Sequence, residues 1–289
     1  GLFSVAPGKK VRFSQGNLQY TTVGSHACAD GTTKAGTWRF AAHQYDIVFN
    51  GNDNISSNYT GWIDLFGWGT SGYNKCYPYL TTTDGSIYGP SGAYNLTGDS
   101  ANYDWGVYNA ISNGGNVAGK WRTLTKDEWE YLLKGRDNAS SKIELAMLNG
   151  TPGVVLLPDS WAPPSVIDRY REDRAGSAVL PVEYPSNEWC MMENAGAVFL
   201  PLASFRDGTT YNARLFPDVY GRYWSSVSTG SSNAHSLDFS GKLRLSSGTF
   251  RYDLNIVTSN VNRSTGQSVR LVCDEVALPD LVSPDEEIR

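Results

Sequence analysis

The chain has 289 residues and a formal net charge of -5, and its Lys and Arg are scattered rather than gathered into a stripe. That distribution argues against a nucleic-acid partner, because phosphates need a positive surface to neutralise them. Charged residues make up only 18% and aromatic residues 12% of the chain, a balance that points to one folded, loop-rich domain over residues 1–276, followed by an acidic tail over 277–289.

In chain order, Lys10 to Tyr20 alternates Val11 and Phe13 with polar neighbours and reads as a strand with a bulge near Gly16. Thr37 to Tyr45 alternates in the same way through Trp38, Phe40 and Ala42, so the two are expected to pair, with Val23 to Gly36 as a polar loop between them. From Asn50 to Gly119 the apolar residues are spaced too irregularly for a helix or a long strand. Gly61 to Gly69 and Tyr103 to Ile111 set Trp beside Gly and Asp; packing anchors for irregular loops are the plainer reading, sugar-stacking platforms the other.

Thr125 followed by Glu128 is a capping box that opens a helix ending at Gly135, which accounts for Glu128 without acid/base chemistry. Lys142 to Leu148 and Val154 to Leu157 form a hairpin pattern across Asn149 and Gly150. Trp161 to Pro185 reads as a surface excursion, Asn187 to Asn194 as a short helix ended by Gly196, and Ala197 to Phe205 as a buried strand.

The final third has a different composition. Twelve of residues 225–268 are Ser, and Asn, Thr, Gly, Tyr and Asp supply most of the rest, so few side chains there can bury apolar area. Such a run between compact apolar strands reads as a display surface over residues 221–272. Leu237 and Phe239 alternate with Ser236, Asp238 and Ser240, which places the first pair inward and the polar set outward. The expected ligand contacts are Trp224 at one edge, Ser231, Ser232 and Asn233 at the turn, Ser236 and Asp238 on the strand, and Phe250, Arg251, Tyr252 and Asp253 in a loop. His235 joins them at the strand entrance, on the inward side unless a bulge turns it out. Ser268 to Val272 is expected to be a central strand.

Cys28, Cys76, Cys190 and Cys273 show no Cys-x-x-Cys spacing and no His at metal-ligand distance, which disfavours zinc. Three disulfide connectivities and four free thiols all remain open. No apolar run approaches the roughly 18 residues of a membrane helix. A chain opening on Gly1 rather than Met fits one from which an export signal or a lipid anchor has been removed.

Trp121 to Tyr131, Gly196 to Pro201, Phe205 to Gly208, Arg222 to Ser226 and Ser268 to Val272 together resemble exported Bacteroidetes proteins with the C-type-lectin fold of the formylglycine-generating-enzyme type. The resemblance runs from Val11 to Val272. It implies an α+β fold, a last strand that pairs back near the first, and an exposed face before it. The polar composition ahead of Gly266 is similar to the variable proteins of diversity-generating retroelements, in which that face binds ligand. Two departures matter: the late reactive cysteine pair of the oxidases is missing, and so are the Glu-Pro-Asn, Gln-Pro-Asp and Trp-Asn-Asp motifs of calcium-dependent lectins. The expectation is a secreted or cell-surface, non-enzymatic binding protein for a protein or glycan, with no cofactor and no assigned metal. A divergent oxidase or another enzyme with an unrecognised site is the alternative.

Overall fold

The computed structural model describes residues 1–162, 182–212, 220–246 and 249–275, with the backbone alone from 241 to 255. It is an α+β protein of small sheets and few helices. One four-stranded antiparallel sheet is built from β1 (Phe3–Ala6), β2 (Lys9–Phe13), β15 (Leu271–Asp274) and β5 (Arg122–Thr123), in that order. A hairpin joins β3 (Leu18–Ala27) to β4 (Thr33–Phe40). A second four-stranded sheet runs β8 (Val182–Tyr184), β6 (Ile143–Leu148), β7 (Thr151–Leu156), β9 (Val198–Pro201), with β8 and β6 parallel. β10 (Phe205–Asp207) pairs with β11 (Thr210–Asn212), and β12 (Tyr220–Ser228), β13 (Asn233–Ser246) and β14 (Thr249–Asn262) form a three-stranded antiparallel sheet. The helices α1 (Trp105–Tyr108), α2 (Lys126–Glu130) and α3 (Ser186–Asn194) are short, and no described helix is long and apolar enough to cross a membrane.

Local signals hold where they are strongest. Thr125 Oγ1 accepts the Glu128 N–H at 3.1 Å while Glu128 Oε2 accepts the Thr125 N–H at 2.8 Å, so the capping box is complete. The same carboxylate takes a bidentate pair from Arg122, at 2.7 and 2.8 Å, and Lys9 at 2.8 Å. Arg122 also reaches Asp274 at 2.6 Å, so α2, β2, β5 and β15 are tied at one point. Beyond Glu130 the helix continues as one wide turn, Tyr131–Gly135. The hairpin across Asn149 and Gly150 forms with both residues at positive φ.

Other expectations need correcting. Val23 to Gly36 is not a loop: β3 and β4 run through it, and only residues 28–32 turn. A bulge between Thr21 and Ser25, with Gly24 at φ +85°, lets the hairpin bend without ending it. Lys10 to Tyr20 is two strands in different sheets rather than one, because the chain crosses over at Gly16, where a Cβ would lie 2.6 Å from the Ala41 carbonyl. Ala197 to Phe205 is not one strand: β9 ends at Pro201, and Ser204 takes φ +61° before β10. Phe250 to Asp253 lie in β14 opposite Leu245 to Lys242, not in a loop. Leu245 pairs with Phe250 and Leu243 with Tyr252 across the two strands, an apolar alternation that suits paired strands better than a loop. All four cysteines are free thiols. Most of the excursion expected over Trp161 to Pro185, and the acidic tail, lie outside the described residues.

The core is divided by the C-terminal segment. Val272 packs with Phe3, Trp129, Tyr223 and Phe239 in one cluster, whereas Val269 and Leu271 pack with Trp38, Phe66, Trp105 and Trp224 in another. A strand interior to its sheet and apolar on both faces has this character. Residues 263–270 are buried throughout despite being mostly polar, and their backbone bonds reach residues 18, 66, 68, 206, 222 and 224.

Candidate functional site

The three-stranded sheet β12–β13–β14 carries the residues expected to face a ligand. Cross-strand pairing puts Tyr220, Arg222 and Trp224 on the same face as Ser240, Asp238 and Ser236, and Tyr223 with Leu237 and Phe239 on the other. The alternation is therefore as expected, but both faces are covered. Trp224 is 1% exposed and donates its indole N–H to the Phe66 carbonyl at 2.7 Å. Ser236 is buried with its hydroxyl between Asp238 Oδ1 and Gln267 Oε1. Asp238 is buried too, accepting from the Tyr220 hydroxyl at 2.7 Å and lying 3.4 Å from Arg222 Nε. These three belong to the interior because Phe66 and Gln267 bond to Trp224 and Ser236 and because Tyr220 and Arg222 close over Asp238, contacts that strand periodicity cannot report.

What stays accessible is the turn and the edge strand. Ser231 is exposed, Ser232, Asn233 and His235 are half-buried, and on β14 Val257, Asn260 and Asn262 are exposed. β14 is the last strand of its sheet, so its outer backbone edge is open among the described residues. Phe250, Arg251, Tyr252 and Asp253 continue this strand, and their side chains lie outside the described residues.

His235 faces Asn260 across the sheet, beside α2. Burial and the ammonium of Lys126 lower its pKa, and its Nδ1 has no partner among the described residues. Near it, Lys126 and Glu130 pair at 3.0 Å, and the Thr258 hydroxyl donates to Glu130 at 2.8 Å.

Arg263 fixes this region. Its guanidinium is fully buried and stacks 4.3 Å from the Trp68 ring. It donates to the carbonyls of Tyr88 at 3.1 Å, Pro90 at 2.9 Å, Gly92 at 2.8 Å and Gly230 at 2.7 Å, and to Ser228 Oγ at 2.7 Å. With the backbone bonds Arg263 N–H to Ser232 and Thr229 N–H to Asn233, the turn is held from both ends. Burial pushes the Arg263 pKa down to about 10, which leaves it charged at neutral pH. The sequence offered little sign of this role, since the carbonyls it serves lie far away along the chain.

The arrangement offers hydroxyls, side-chain amides and one imidazole on a backbone that is already ordered, which suits non-covalent recognition. Cys190 lies exposed on α3 and Cys273 half-buried on β15. The Trp-rich stretches are packing anchors: Trp68 and Trp105 are fully buried, and Trp62 is stacked under Arg39 at 3.6 Å. No model of a known protein family matches the chain, and neither the curated proteins nor the solved structures hold a match.

Proposed function

We propose that the chain is a secreted or cell-surface binding protein of the C-type-lectin-like, formylglycine-generating-enzyme type, which recognises a protein or glycan without catalysis, calcium or a cofactor. The observation that carries the reading is the turn 229–233, where polar side chains stand at the surface while Arg263 and its backbone bonds immobilise the chain beneath them. Fixing the backbone of a recognition loop before the partner arrives removes an entropy cost of about 1–2 kcal/mol for each residue that would otherwise be ordered on binding. The open edge of β14 extends the surface next to the turn. The resemblance to variable proteins of diversity-generating retroelements points to the segment ahead of Gly266, and the turn and edge strand are the accessible parts of that segment.

The test is a glycan and protein binding array with the purified protein, beside a variant carrying Ser231→Ala, Asn233→Ala and Asn260→Ala. The proposal expects a set of hits that the variant loses with its melting temperature unchanged. Hits retained by a folded variant would move the binding surface elsewhere. Turnover of a cysteine-containing peptide by the wild type would favour the enzymatic alternative.

A further inference from the structure

A second site opens on the β3–β4 hairpin, away from the residues just described. One face of that hairpin carries Tyr20 and His26 from β3 opposite Trp38 and Lys34 from β4. Gly36 lies between Trp38 and Lys34 on β4, and a Cβ there would meet the Tyr20 ring at 2.2–2.5 Å, so its absence lets Tyr20 lie flat across the strand. Tyr20 and Trp38 pack at 4.7 Å between ring centroids. Facing them, the segment 71–79 brings up Tyr77 and Tyr79, stacked at 5.1 Å and 7° from parallel. The segment is tightly wound, with Gly72 N–H on the Cys76 carbonyl and Asn74 and Lys75 both at positive φ, and the buried Cys76 side chain pins it beneath. Between the walls is a cleft of about 270 Å³.

The polar groups of the cleft are one-sided. Both ring nitrogens of His26 are taken by oxygens, Nδ1 by the Gly36 carbonyl and Nε2 by Asn109 Oδ1, each at 2.8 Å. The Asn109 amide is oriented by its donations to the Ser71 and Trp105 carbonyls, both 2.9 Å, so its oxygen must face the histidine. Lys34 lines the cleft, its ammonium lies 5.9 Å from the Tyr108 ring at the cleft's margin, and it makes no ion pair among the described residues. The Asp30 carboxylate, outside the cleft lining, accepts from the Thr32 N–H and hydroxyl and from the Tyr108 hydroxyl, and attracts Lys34 at longer range without pairing with it. No Asp or Glu lines the cleft in a chain whose net charge is negative. Hydroxyls of Ser57 and Thr22 stand at its rim, the latter bonded to the Tyr59 carbonyl.

We propose that this cleft binds a sugar carboxylate, a single uronic-acid-like ring that lies against Tyr77 and Tyr79 with its carboxylate on Lys34. The volume is below the range of about 300–1,000 Å³ typical of drug-sized ligands, which fits one ring rather than a chain of them. Flat aromatic walls hold the apolar face of such a ring, and an ammonium beside a cleft that no carboxylate lines favours an anion. The proposal stands apart from the turn 229–233, because the two sites share no residue.

The experiment is a titration of the full chain with sodium glucuronate, methyl glucuronide and glucose, followed by intrinsic fluorescence and calorimetry. Saturable binding of glucuronate, and glucose binding at least roughly tenfold weaker, is expected from loss of the charge-assisted bond. Lys34→Gln should bring glucuronate down to the glucose level, and Tyr77→Ala should weaken both; Tyr77 is 39% exposed, so the fold should survive its loss. Binding of methyl glucuronide would place a glycan terminus in the cleft, and exclusion of it with glucuronate retained would make the ligand a free sugar acid. No saturable glucuronate binding, equal affinity for glucose, or affinity untouched in folded Lys34→Gln would each overturn the proposal. The Ser231→Ala, Asn233→Ala, Asn260→Ala variant should bind glucuronate like the wild type, which separates failure here from failure at the turn.

Discussion

At Arg263 one guanidinium serves three stretches of chain, residues 88–92, 228–230 and 233, which no apolar side chain of that size could do. Lysine keeps the charge but not the planar fork or the stacking on Trp68, so Arg263→Lys should leave buried carbonyls unpaired and cost about 2 kcal/mol or more. An unchanged urea midpoint would mean that the carbonyls find other donors. Thr125→Ala should cost on the order of 1 kcal/mol, because the Glu128 N–H loses its acceptor; a melting shift within noise would contradict that.

Asp64 sets a pH dependence of its own. It is buried, with the Val48 N–H and the Asn52 amide as donors, and desolvation raises its pKa to about 6. A carboxyl whose folded pKa exceeds its unfolded value, near 3.9, destabilises the fold as pH rises through that window and adds nothing further above it. The stability of wild type relative to Asp64→Asn should therefore fall by roughly 2–3 kcal/mol between pH 3.5 and pH 7. Urea midpoints that keep a constant separation over that range would contradict the assignment.

Among the elements, the segment from Arg263 to Asp274 has the most consequence for the fold. The central strand expected over Ser268 to Val272 is found in part: β15 sits inside its sheet between β2 and β5 but runs from Leu271 to Asp274, while Ser268 makes an isolated bridge to Tyr223. The polar half of the segment was not legible as interior. Gln267, Ser268 and Arg270 are buried because they bond to Phe66, Arg222, Asn17 and Gln44, residues from the opposite end of the chain or the neighbouring sheet. Amide exchange across residues 266–272 should be as slow as in β7, and exchange at loop rates would refute the central placement. Elements whose cause is local, such as the capping box or the Asn149–Gly150 hairpin, could be read directly. Those decided by a partner far off in sequence, such as the crossover at Gly16 or the burial of Ser236 and Asp238, could not.

Over the whole molecule, the α+β class was what the resemblance implied and is what the structure shows, while the strand orders of the two four-stranded sheets were not legible, since each joins distant parts of the chain. The candidate surface was legible in part. Composition located the final third, and Ser231, Ser232, Asn233 and His235 remain at or near the surface there. Composition could not distinguish a polar residue meeting solvent from one paired inside, which is why Trp224, Ser236 and Asp238 were placed outward. The measurement that bears most directly on the account is hydrogen–deuterium exchange of the protein with and without whichever array ligand it binds most tightly. Protection confined to residues 229–235 and 256–262 is the predicted result; a ligand that leaves both segments unchanged while protecting another part of the chain would contradict it.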